Sequence, residues 1–169
     1  MNSQTLYNKP FNENASKLSS PFNEALCFSN GENIMKAIAL NSIAILGGLV
    51  LGSAVNMGLI SIGSELIPPP EGVDVSSMEG LANAMQLFET KHFLFPFLAH
   101  SFGTLAGAIF ATKVATTHKL KIALLIGVAF FAGGTTMVFN LPSPLWFNAL
   151  DLIVAYMPMA YLGHKLVKK

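Results

Sequence analysis

Two ionisable side chains, His100 and Asp151, lie inside long apolar stretches of the sequence. A charged group inside a bilayer is costly and usually faces the interior of a helix bundle or a cavity. Each residue lies roughly 10–12 Å along its helix at ~1.5 Å per residue, so the two can meet across a bundle. We predict an acid–base pair that binds a proton or a polar ligand. The alternative is structural: a neutral histidine bonded to a backbone carbonyl, and a carboxylate holding polar groups of a neighbouring helix.

The helical faces favour this pairing. At about 100° per residue, His100 shares a face with Gly107, which is the small and inward side of its helix. Asp151 shares a face with Ala155, whereas Tyr156 is predicted to belong to the more lipid-compatible surface. Both ionisable groups are therefore expected to point inward.

Three further polar side chains are candidates for the same binding site: Asn56, Asn140 and Glu65. The two amides are expected in the outer halves of their helices, where they either line a polar pocket or join neighbouring helices by hydrogen bonds. Glu65 stands just before a run of three prolines, so its alternative role is a solvated carboxylate at the membrane interface.

Most other kinds of site find no support in the sequence. We recognise no catalytic set, metal site or cofactor motif, because no phosphate-binding glycine loop, zinc-spaced histidine cluster or haem-attachment motif occurs. All ten cations are lysine, which excludes a phosphate clamp built on arginine. Cys27 is the single cysteine and forms no intramolecular disulfide. A net charge of +1 predicts no nucleic-acid partner. A further possibility is an enzyme that uses His100 and Asp151 as a general-base pair, but the sequence shows no nucleophile to accompany them.

The elements that must position these residues are apolar helices. The chain is 52% hydrophobic and 11% charged, which is typical of a membrane protein. About 20 apolar residues cross a hydrocarbon core of ~30 Å. Residues 1–33 are predicted to be a flexible polar tail, with Met35 as an alternative start to Met1. Residues 34–169 are predicted to form the membrane domain, with spans over about 34–62, 93–116, 122–141 and 145–167.

The connections predict how the spans are arranged. A five-residue turn, 117–121, joins the second and third spans, and proline clusters at 68–70 and 142–144 reverse the chain. The predicted fold class is an all-α membrane protein with four transmembrane helices in two antiparallel hairpins. Ser76 and Glu79 have capping-box spacing, which predicts a short amphipathic helix in the outer loop, either on the membrane surface or packed on the bundle.

Nine of the ten lysines fall on one side of these spans, and Lys91 alone falls on the other. Lysine-rich segments remain in the cytoplasm. We therefore expect a multi-pass protein of the bacterial inner membrane, with both termini cytoplasmic and the acidic first loop in the periplasm.

Small residues recur every four positions on the first two spans. Gly48 and Gly52 on the first span, and Gly103 and Gly107 on the second, are predicted to let helix backbones approach closely. The expected partners are the lipid bilayer and, through such glycine stripes, a second copy of the chain in a homodimer.

Four motifs stand out in the sequence: Ile67-Pro68-Pro69-Pro70-Glu71-Gly72-Val73-Asp74, Lys91-His92-Phe93-Leu94-Phe95-Pro96-Phe97-Leu98-Ala99-His100, Leu141-Pro142-Ser143-Pro144-Leu145-Trp146-Phe147 and Asp151-Leu152. In these motifs residues 35–166 resemble a family of small four-span bacterial inner-membrane proteins without an assigned activity. The resemblance implies a bacterial origin and the four-span layout, and it brings no catalytic or binding residues. Residues 1–34 depart from the family pattern.

Two functions remain open at this point. The first is a small binding or transport module whose polar pocket faces the periplasm and takes up a proton. The second is an accessory or structural membrane protein, in which the polar residues only join helices and the acidic outer loop docks a protein partner.

Overall fold

The structure, a computed structural model, describes the backbone of residues 21–167 and the side chains of residues 31–167. The chain divides into two compact units, residues 1–38 and residues 39–169. Within the first unit, Lys36 and Glu32 form an exposed ion pair of 3.8 Å one helical turn apart. The second unit contains every residue of the candidate site.

The described residues form helices, turns and loops without a strand. The helices are α1 (Pro21–Leu66), α2 (Met78–Met85), a 3₁₀ turn (Thr90–Phe93), α3 (Leu94–Val114), α4 (Lys119–Asn140), α5 (Leu145–Val154) and α6 (Met157–Val167).

Four helical segments are long and apolar enough to cross a membrane: Gly31–Leu66, Thr90–Val114, Lys119–Asn140 and Leu145–Val167. The described part of the chain is therefore all-helical, as predicted, and its four long apolar helices indicate a multi-pass membrane protein. The fourth span consists of two helices, α5 and α6, with a break between them.

The first helix begins earlier than the sequence analysis placed it. It starts at Pro21 and includes residues 21–33, which were assigned to a flexible polar tail. Proline is well tolerated in the first turn of a helix because its missing N–H has no partner there. After Pro21, Gly31 is the residue of lowest helix propensity in this stretch, and it costs only about 1 kcal/mol relative to alanine. Residues 1–20 lie outside the described residues, and there the tail stays a prediction.

The short helix α2 follows the proline run, and its cap differs from the expected one. Ser77 is the N-cap, and its hydroxyl oxygen accepts a hydrogen bond of 3.0 Å from the Gly80 N–H. Ser76 instead donates its hydroxyl and its backbone N–H to Asp74 Oδ1, at 2.6 and 2.8 Å. Both hydrogen bonds lower the pKa of the Asp74 carboxyl, and the one from the Ser76 hydroxyl has the larger effect.

Helix α3 packs against α4 and α6, and the contact is built from alanine. Ala108 of α3, Ala123 of α4 and Ala160 of α6 are fully buried in one cluster. Because alanine side chains are small, the three helix backbones approach closely. Close van der Waals packing of this kind holds helices together where the hydrophobic effect does not. The cluster fixes α3, which carries His100, against α4 and α6.

Aromatic residues close one end of the helices, here called the Trp146 end. Phe93 is almost fully buried and lies 5.8 Å from the Trp146 ring and 4.9 Å from the Phe147 ring. Phe88 packs on the other side of Phe93 at 6.0 Å. The opposite end, called the Lys121 end, carries the turn between α3 and α4.

Candidate functional site

The structure brings His100 of α3 and Asp151 of α5 into direct contact. His100 Nδ1 lies 2.9 Å from both carboxylate oxygens of Asp151. Asp151 is 4% exposed, and the His100 side chain is 22% exposed. The predicted contact between the second and fourth spans is therefore present. The Thr104 hydroxyl donates to the His100 carbonyl at 2.8 Å and ties the histidine to the next turn of its helix.

Tyr156 is the third member of the cluster, and its predicted lipid-facing position was wrong. Its ring is 1% exposed, and its hydroxyl donates to Asp151 Oδ2 at 2.7 Å. The same hydroxyl lies 3.1 Å from His100 Nδ1, with the two rings stacked at 5.8 Å. His100, Asp151 and Tyr156 are called the polar triad below.

A break in the fourth span explains why Tyr156 reaches Asp151. Residues five apart lie about 140° apart around a regular α-helix, so a straight span would point them to different sides. Pro158 lacks an N–H, and its ring collides with the carbonyl of Val154 in a regular helix. The chain responds by ending α5 at Val154 and starting α6 at Met157. Tyr156 lies in this break and turns toward Asp151.

The third span contributes space for the triad rather than a polar group. A Cβ atom added at Gly134 would collide with the Tyr156 hydroxyl and would lie 2.6 Å from Tyr156 Cζ. The Phe131 ring packs edge-on against the Tyr156 ring at 6.0 Å. Glycine at position 134 is therefore required for the phenol to occupy its place beside Asp151.

The contacts fit one arrangement of protons, in which Asp151 is ionised. The carboxylate of Asp151 accepts, Tyr156 donates to it, and Nδ1 must also donate, because its lone pair would otherwise face a carboxylate at 2.9 Å. The other ring nitrogen, Nε2, has no hydrogen-bond partner among the described residues and is available for a second proton.

The remaining binding candidates lie apart from the triad. Asn140 is exposed and donates to the Thr136 carbonyl of its own helix at 2.7 Å, and Glu65 is exposed. Asn56 faces Gly103, since a Cβ atom added at Gly103 would lie 3.1 Å from the Cβ atom of Asn56. The buried Asn56 Oδ1 has no partner among the described residues. No hydrogen bond or ion pair in this part of the chain joins any of the three to His100.

The four packing glycines meet within one chain. Added Cβ atoms at Gly48 and Gly107 would lie 2.8 and 2.6 Å from each other's carbonyl oxygens. Gly52 and Gly103 approach each other in the same way, at 2.7 and 2.8 Å. Because the glycine faces of the first and second spans pack against each other within one chain, a homodimer would need another surface.

No protein-family model, curated protein or solved structure matches the chain. The triad's geometry and chemistry are therefore the grounds on which a role is assigned.

Proposed function

We propose that the protein is a small proton-responsive binding or transport module of the membrane, with the polar triad as its proton site. The observation that carries this proposal is the junction of His100, Asp151 and Tyr156 at a helix break. Ionisable groups inside membrane spans mark proton relays and substrate pathways. Interrupted helices form such sites in transporters because they place unpaired backbone groups and polar side chains near the middle of the membrane.

The proposed chemistry is a change of charge inside the bundle. With a neutral imidazole, the Asp151 carboxylate leaves one net negative charge in a membrane-spanning segment, where charge is costly. With a protonated imidazole, the two charges form an ion pair. Proton binding would thus change the electrostatics next to the break between α5 and α6, and a cation or a polar solute would compete with the proton.

We further propose two antiparallel hairpins, with the Trp146 end facing the periplasm of a bacterial inner membrane. Gly48 and Gly52 pair with Gly107 and Gly103 in reverse order, as antiparallel helices require. At the other end, the Asn41 amide donates to the Thr117 hydroxyl at 2.8 Å. The distribution of lysines favours cytoplasmic termini. In this arrangement α2 lies at the outer membrane surface, with Leu81 and Met85 toward the bundle or the lipid.

The proposal is tested by the pH dependence of thermal unfolding, measured on the full chain in lipid nanodiscs. His100→Gln removes the proton site, so its unfolding temperature should vary less with pH than that of the wild type. Asp151→Asn should lose more stability at a pH where the histidine is protonated than at alkaline pH, because the cation then lacks its partner. His92→Gln is the matched control, since His92 stacks on Phe88 away from the triad.

Two outcomes would contradict the proposal. One is a His100→Gln profile that follows the wild-type profile. The other is additivity of Asp151→Asn and His100→Gln, because contacting groups couple and independent groups do not.

The second candidate function, an accessory protein, is favoured by the exposed acid groups of the outer loop. Glu71, Asp74, Glu79 and Glu89 are all exposed. Such a surface can dock a basic partner. Native mass spectrometry from mild detergent distinguishes the two: a retained small molecule supports the module, a retained protein supports docking, and the measured mass gives the number of copies.

A further inference from the structure

A second polar region lies at the Lys121 end, away from the triad. A cavity of about 490 Å³ opens there, lined by Thr112, His118, Lys119, Leu120, Lys121, His164 and Val167. A second cavity of about 270 Å³ shares Leu120 and His164 and adds Tyr161 and Lys165. The proposed proton chemistry uses none of these residues.

The charge around these cavities is of one sign. Lys119 and Lys121 line the larger cavity, Lys165 lines the smaller one, and His118 and His164 can add further positive charge. No acidic side chain lines either cavity within the described part of the chain. A positive concavity with apolar walls concentrates anions.

The backbone adds three donors to the same place. The first hydrogen bond within α4 runs from the Ile122 N–H to the His118 carbonyl at 3.1 Å. The N–H groups of residues 119–121 therefore have no partner within the helix. His118, which precedes them, has a φ of 50° and makes no side-chain cap. The N-terminus of a 22-residue helix thus lies at the basic cavity, and none of the described residues accepts a hydrogen bond from these three N–H groups, which favours an anion.

His164 provides a second, independent observation at the same cavity. It is 9% exposed, lines both cavities, and its Nδ1 is buried without a hydrogen-bond partner among the described residues. Buried polar atoms are rarely left without a partner, because such an atom loses its hydrogen bonds to water on folding. A ligand in the cavity can reach this buried nitrogen only if the ring turns, and the new hydrogen bond would then compensate for part of this loss.

We propose that this pocket, formed by Lys119, Lys121, His164 and the first turn of α4, binds a phosphate group. The pocket lies where α3 ends and α4 begins, so it is at the level of lipid headgroups if these helices cross the membrane. Basic pockets at the cytoplasmic ends of spans bind the headgroups of anionic lipids. The phosphate therefore belongs to an anionic phospholipid or to a free phosphate ion, which share the same chemistry.

The test measures thermal unfolding of the full chain in neutral detergent. Phosphatidylglycerol is compared with phosphatidylcholine, and inorganic phosphate is compared with chloride at equal ionic strength. Stabilisation by phosphatidylglycerol alone identifies a lipid headgroup, and stabilisation by inorganic phosphate identifies a site for the free ion. Both results support the pocket if the variants below weaken them. Stabilisation by neither anion overturns it.

The variants Lys119→Gln and Lys121→Gln each remove one exposed cation from the pocket. Each should raise the half-maximal concentration of the stabilising anion roughly five-fold, the equivalent of one lysine near a membrane surface. Lys113→Gln is the matched control: it removes an exposed lysine at the same end that does not line either cavity. An equal response in all three variants, or a wild-type affinity that does not fall with added salt, would overturn the proposal.

Discussion

Gly134 determines whether the Tyr156 phenol can stand beside Asp151. A methyl group at position 134 would occupy the place of the hydroxyl, so Gly134→Ala should displace Tyr156 and lower the unfolding temperature. The expected cost is about 1–3 kcal/mol, as for other overpacked positions. Gly133→Ala is the matched control, because no atom lies within 4 Å of its added Cβ. Equal unfolding temperatures for the two variants in detergent would show that the phenol does not occupy this place.

Tyr156→Phe isolates the hydroxyl from the ring. The ring keeps its contact with Phe131, while Asp151 loses a donor at 2.7 Å. A hydrogen bond to a charged group contributes about 1.5–3 kcal/mol, so a loss of that order in unfolding free energy is expected. In a double-mutant cycle with His100→Gln the losses should not add, since both groups bond the same carboxylate. Additive losses would mean that the three side chains act separately.

The contact between His100 and Asp151 was predictable because each is ionisable, lies deep in an apolar stretch and shares a face with small residues. Tyr156 was not found in this way. Its position was judged on the face that it would occupy in an unbroken helix, and the break removes that premise. Pro158, two residues later, is the signal that could have corrected the judgement, because proline disturbs the turn before it.

The close approach of the first and second spans gives a test at the level of helices. In Gly107→Ala the added Cβ would meet the Gly48 carbonyl oxygen at 2.6 Å, so the two backbones must separate. Gly58→Ala in the first span is the control, since nothing lies within 4 Å of its added Cβ. Gly107→Ala should unfold at a lower temperature than the wild type. Gly58→Ala should be neutral or slightly more stable, because alanine favours the helix. A loss of equal size in both variants would contradict the packing.

The loop before α2 provides a pH-dependent element outside the membrane spans. Hydrogen bonds from Ser76 lower the pKa of Asp74, so they stabilise the loop above the usual pKa of 3.8. This stabilisation is lost as the pH falls through the lowered value. Ser76→Ala removes the hydroxyl, and the Asp74 titration midpoint, followed by carboxyl NMR, should rise toward 3.8. Ser64→Ala is the control, because the Ser64 hydroxyl bonds the Ile60 carbonyl and should leave the midpoint unchanged.

The number of spans followed from hydropathy, but the extension of α1 back to Pro21 did not. Residues 21–33 are polar, and polarity says little about whether a helix extends beyond its apolar stretch. The cap of α2 was misplaced by one residue, since Ser76 and Ser77 both have suitable side chains. Asp74 decides between them by binding Ser76, a contact that spacing rules for helix caps do not include.

The orientation of the whole chain is tested with a reporter enzyme that is active only in the periplasm. Fusions after Asp74 and after Ser143 should be active, because both positions lie in loops at the proposed outer side. Fusions after Lys119 and Lys169 should be inactive. Activity after both Asp74 and Lys169 would contradict the four-span arrangement, because three spans between them must place them on opposite sides. Activity after Lys169 but not after Asp74 would reverse the orientation. Activity after Lys119, with the Lys169 fusion still inactive, would place the lysine-rich turn between α3 and α4 on the periplasmic side.

The fluorescence of Trp146 can serve as a local probe of the protein. Trp146 is the chain's single tryptophan, so long-wavelength ultraviolet excitation yields emission from one position only, beside Phe93 and five residues before Asp151. Its side chain is 47% exposed, which leaves the indole open to collisional quenchers. Brominated acyl chains and water-soluble iodide would each quench it according to its depth. A rearrangement at this end could therefore be followed in real time without attaching a label.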